Sequence, residues 1–133
     1  MQESRYYDYI FRIDGENISP RPDNIFDPSS VFLIIDMELN LIWIWSGEKS
    51  RLFHRYIAAN WAGKLKSRNK KFLNYKYEVV KQGREPEEFK IIYSEINSGR
   101  NDFTFPGQSR TYISNIQQKN SINDRRTSNL QYQ

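Results

Sequence analysis

The chain has 133 residues, 38% apolar and 15% aromatic, with a formal net charge of +4 and no cysteine. That length suits one domain, and without cysteine there is no disulfide, thiolate metal site or thiol nucleophile. Residues 97–133 hold five basic and two acidic side chains, leaving 15 basic and 14 acidic on the rest, too even a balance for a dedicated nucleic-acid-binding face.

In chain order, residues 6–13 are aromatic and β-branched and predict a first strand. Asp14-Gly15-Glu16-Asn17 reads as a turn and Ser19-Pro20-Arg21-Pro22-Asp23-Asn24 as an extended loop. Val31-Phe32-Leu33-Ile34-Ile35 is a continuous apolar run, the pattern of a strand covered on both faces. A short connection, Asp36-Met37-Glu38-Leu39-Asn40, joins it to a second buried strand, residues 41–45. Ser46-Gly47-Glu48-Lys49-Ser50 breaks the pattern and leads into a helix over 51–65. Its inner face is Ile57, Ala58, Trp61, Ala62 and Leu65.

A basic loop follows, carrying Lys64, Lys66, Arg68, Lys70 and Lys71. Residues 75–81 read as a further strand ending at Gly83. Glu85-Pro86-Glu87-Glu88 opens a second helix, with proline and carboxylates where a first turn favours them; it carries Phe89, Ile92, Tyr93 and Ile96. From Asn97 to Gln133 apolar residues come singly or in pairs among Asn, Ser, Gln and Arg. The expectation is therefore a domain over 1–96 and a disordered, polar, basic tail over 97–133. Residues 1–5 lack a signal peptide's apolar run, and no stretch approaches the roughly 20 apolar residues that span a bilayer. A cytoplasmic protein without a transmembrane segment is expected.

Three motifs carry a family resemblance. The first is Val31-Phe32-Leu33-Ile34-Ile35-Asp36 followed by Ile42-Trp43-Ile44-Trp45-Ser46-Gly47. The second is a long helix with spaced alanines, Ala58 and Ala62. The third is Val79-Val80-Lys81-Gln82-Gly83-Arg84-Glu85-Pro86-Glu87-Glu88-Phe89. Together, over 30–93, they resemble the gelsolin/villin family of actin-binding domains, with Phe11-Arg12-Ile13 in the place of that family's edge strand. The resemblance implies an α/β (α+β), gelsolin-like or ADF-like fold: a mixed five-stranded sheet sandwiched between one long and one short helix.

It also implies a partner, actin or an actin-like protein, met by the outer face of the long helix. Helix-in-groove recognition needs an apolar outer stripe, and here that stripe is Leu52, Phe53, Tyr56, Ala59, Asn60 and Gly63. The competing reading is that the N-terminal loop or the tail covers these rings. The expected function is binding of actin monomers or filament ends; the alternative is an adaptor domain of the vesicle-coat type that docks proteins without touching actin. The basic residues Lys64 to Lys71 imply contact with acidic actin side chains or anionic phosphoinositide headgroups, against a plain solvated helix end. Many family domains hold calcium, but the matching positions here are Ser29, Ser30 and His54, with Lys66 at a further acidic position. That set lacks the carboxylates calcium favours, so no cofactor is expected. Asp23, Asp27 and Asp36 are read as turn and cap residues, and His54 as a helix-surface residue. No catalytic residue, and no enzyme activity, is expected.

Overall fold

The structure, a computed structural model, describes residues 5–99 and 103–111. Five strands form one mixed sheet: β1 (Ile10–Asp14), β2 (Asn17–Pro20), β3 (Val31–Asp36), β4 (Leu41–Ser46) and β5 (Lys76–Lys81), in spatial order β2-β1-β3-β4-β5. Pairing is antiparallel except between β4 and β5, which run parallel. The helix α1 (Leu52–Arg68) makes that crossover on one face, and α2 (Glu87–Asn97) covers the other. The expected sandwich of a mixed five-stranded sheet between a long and a short helix is present.

Strand alternation divides the core into two layers. From β3 and β4, Val31, Leu33, Ile35, Ile42 and Ile44 pack with Ala58 and Ala62 of α1. Phe32, Ile34, Trp43 and Trp45 point the opposite way and pack with Phe89 and Ile92 of α2. Both strands are buried on both faces, which is why they read as unbroken apolar runs. Gly47 is required by a close approach: a Cβ there would lie 2.0 Å from the Pro28 carbonyl oxygen. The chain passes so near because the Gly47 N–H donates to the Ser30 carbonyl and the Lys49 N–H to that of Pro28.

Several boundaries differ from the sequence reading. Residues Tyr6–Tyr9 form a 3-10 turn, and the strand begins at Ile10. Part of the expected 19–24 loop belongs to β2, which pairs outside β1. The Phe11-Arg12-Ile13 strand is thus interior rather than an edge. Pro86 caps α2 instead of entering its first turn. Phe26, in a loop, adopts φ 74°, uncommon for a bulky residue. Its ring compensates by packing among Phe32, Trp45, Phe89 and Tyr93.

The largest correction concerns the expected tail. Residues 103–111 fold back onto the α2 side, where Phe103 packs against the core and Pro106, Gly107 and Ser109 are buried. Two buried carboxylates hold this strap. Asp36 receives both ends of the Arg110 guanidinium, at 2.9 and 2.7 Å, together with Trp43 Nε1 at 2.7 Å. Glu95 receives the Gly107 and Ser109 N–H groups at 2.9 Å, the Ser109 hydroxyl, and the Tyr6 hydroxyl at 2.6 Å. The apolar content of 103–111 is too low to predict docking; two polar anchors make up the difference. The expected disorder of residues 100–102 and 112–133 lies outside the described residues.

Candidate functional site

On α1, Ala58 and Ala62 are buried against the sheet, and Ile57, Trp61 and Leu65 pack around them. Trp61 Nε1 donates to the Glu16 carbonyl at 2.9 Å, fixing the helix to the β1–β2 turn. Leu52, Phe53 and Tyr56 project from the opposite side and are 60%, 51% and 66% exposed. No described residue covers them, so the N-terminal segment from residue 5 and the strap at 103–111 are not their lid. A helix that only lined a core would be polar on this side; α1 is apolar on both. Asn60 and Gly63 extend the exposed surface. One residue of the expected stripe differs from expectation.

 Ala59 is half-buried and packs against the core, because it lies beside Ala58 on the flank of the inner face.

The basic residues divide in two. Lys64, Lys66 and Arg68, expected in a loop, belong to α1, which runs on to Arg68; cations in a last turn complement the helix dipole. Lys64 Nζ lies 4.3 Å from the centre of the Trp61 ring, and the Arg68 guanidinium 5.6 Å from it. Lys70 and Lys71 start a 3-10 turn in which the Asn69 side chain accepts from the Lys71 N–H at 3.1 Å. All but the half-buried Lys66 are exposed, and together they extend the C-terminal end of the helix as a cationic rim.

The positions that the resemblance aligns with calcium ligands, Ser29, Ser30 and His54, each have neighbours in the fold. The Ser29 N–H donates to Asp27 Oδ1 at 3.1 Å and the Ser30 hydroxyl to Asp27 Oδ2 at 3.3 Å, so Asp27 caps its own turn. His54 stands beside the Phe53 ring on α1. Asp36 is committed to Arg110, Trp43 and the N–H groups of Glu38 and Leu39. Asp23 lies 3.8 Å from Arg12 across the surface. Among the described residues, no three His, Cys, Asp or Glu side chains converge as a metal site.

Glu85, just before α2, is engaged within the fold as well. Glu85 accepts from Trp45 Nε1 and from the Gly83 N–H, both at 3.0 Å. Two phenols, Tyr6 and Tyr75, are pushed above the ordinary tyrosine value, in each case chiefly by burial. Neither belongs to the outer face of α1. Among the described residues no helix is long and apolar enough to cross a membrane.

Neither a protein-family model nor a curated protein matches the chain. Among solved structures it is similar to Thorarchaeota ProGel, determined in complex with rabbit actin. The two are 25% identical over 62% of this chain and 93% of that one, with a TM-score of 0.55. A second structure, Thorarchaeota 2DGel3 with rabbit actin, is 17% identical over 67% of this chain and 48% of that one, with a TM-score of 0.47.

Proposed function

We propose that this chain, a gelsolin-like domain, binds actin through the outer face of α1 and so regulates actin assembly at monomers or filament ends. One observation carries the reading: Leu52, Phe53 and Tyr56 stand exposed together on a helix whose other side is already buried. An apolar helix face fits a hydrophobic groove, where a few large anchors supply most of the affinity. The similarity to ProGel, whose structure contains rabbit actin, supports actin as the partner class. The activity proposed for this domain is binding to actin monomers or capping of filament ends. The cationic rim from Lys64 to Lys71 adds a salt-sensitive attraction to acidic actin side chains, for which phosphoinositide headgroups compete. Binding is independent of calcium, since Ser29, Ser30 and His54 offer two hydroxyls and an imidazole where oxygen-rich carboxylate sets are needed.

The test is co-sedimentation and polymerisation with actin, with and without a calcium chelator, for the wild type and the Phe53→Asp/Tyr56→Asp variant. Truncating one buried anchor costs about 2–4 kcal/mol; charging two should therefore weaken binding by more than about a hundredfold. Thermal stability should change little, because both rings lie outside the core. Full binding by a folded double variant would place the interface elsewhere, and loss of binding on chelation would contradict the calcium-independent part.

A further inference from the structure

The sheet ends in a strand whose outer side is unpaired. β5 bonds to β4 along one side, and no described strand pairs with its other side. An open edge exposes backbone donors and acceptors and is a template for another strand. On the α1 side of the sheet, Tyr77 and Val79 are 46% and 51% exposed, and Leu73 just before the strand is 59% exposed. Their register partners in β4, Ile42 and Ile44, are fully buried. The helix therefore roofs β4 and stops short of β5, leaving an apolar margin beside an open edge.

On the other side of the strand, Lys76 and Glu78 are exposed and form an ion pair with no described residue. Lys-Tyr-Glu is self-complementary when read antiparallel. A two-fold axis through Tyr77 sets Lys76 of each chain opposite Glu78 of the other and brings the two Tyr77 rings together. The register centred on Glu78 instead opposes two carboxylates, and the one centred on Val79 sets Glu78 against Val80. Opposite charges placed directly across antiparallel strands stabilise the pair, and like charges destabilise it. Only the first of these registers satisfies both faces.

We infer that β5 is a self-association edge: two copies of this chain join antiparallel through β5 about Tyr77, forming one continuous ten-stranded sheet with paired Lys76–Glu78 contacts. A contact of one short strand and three apolar side chains falls in the small, transient class of interfaces. The dimer is accordingly weak and concentration-dependent, and it leaves the exposed face of α1 free.

Sedimentation equilibrium of the full chain, without actin, tests this at concentrations up to about 500 μM. The wild type should approach a dimer as concentration rises. Glu78→Lys opposes two lysine pairs and should weaken association by at least about tenfold. Exchanging the charges, Lys76→Glu with Glu78→Lys, should restore it, while Phe53→Asp/Tyr56→Asp should leave it unchanged. A monomeric wild type across the range would overturn the inference, as would a folded exchange variant that stays monomeric. So would dissociation by the α1 substitutions alone. A wild type that is monomeric alone, with β5 amides protected from exchange only when actin is added, would assign the edge to another chain and equally overturn it.

Discussion

Replacing Arg110 with alanine tests whether residues 103–111 are part of the folded domain. The Asp36 side chain is fully buried, and that of Arg110 is only 16% exposed. Removing one partner of a buried ion pair costs about 3–5 kcal/mol, because the remaining charge is left without its counter-ion. Here Asp36 would keep Trp43 Nε1 and two backbone N–H donors, which argues for the lower part of that range, about 3–4 kcal/mol. Arg110 also donates to the Glu88 carbonyl at 2.6 Å, so the link between strap and α2 is lost as well. For a domain of this size the expected fall in Tm is about 10–20 °C. Thermal denaturation followed by circular dichroism would measure it. Asp36→Asn combined with Arg110→Gln completes the cycle: once neither side is charged, the double substitution should cost less than the sum of the two singles. A shift below about 3 °C for Arg110→Ala, or strictly additive singles, would refute the strap as a structural element.

Two further outcomes follow from the geometry. Tyr6 is buried and donates to Glu95, so its phenol is held protonated above its ordinary value of 10.0. A raised folded-state value means that this stability is complete below pH 10.0 and is lost as pH rises beyond it. Tm measured from about pH 8 to about pH 11 should fall more steeply in the wild type than in Tyr6→Phe; parallel curves would contradict the assignment. Lys70→Glu with Lys71→Glu should weaken actin binding modestly, by about tenfold or less, with the difference shrinking as salt is raised. A loss equal to that of the aromatic double variant and indifferent to salt would mean that the cationic rim is the main interface.

The centre of the fold was legible in the sequence because its signals are local. Residues 31–35 and 41–45 are apolar without interruption, short, and rich in β-branched and aromatic side chains, as strands covered on both faces are. The outer face of α1 was legible for a related reason: Phe53 and Tyr56 fall opposite Ala58 and Ala62 at helical spacing. β2 escaped notice because Asn17-Ile18-Ser19-Pro20 lies between a turn and prolines and carries little strand character of its own. It exists because β1 offers it an edge. The strap at 103–111 was missed for a different reason. Its attachment depends on Asp36 and Glu95, which lie 74 and 14 residues away from Arg110 and Ser109, and pairings across such distances leave no periodic trace in a sequence. Phe26 is similar, a lone aromatic in a polar loop whose burial depends on rings from three other elements.

Whether the exposed face of α1 is the actin-binding surface can be read from proximity. A photo-crosslinking residue in place of Tyr56, compared with one in place of Tyr77 on β5, would be irradiated with actin and the adducts identified by mass spectrometry. The expected result is a specific adduct to actin from position 56 and none above background from position 77. An adduct from 77 with none from 56, in a protein that still binds actin, would contradict it.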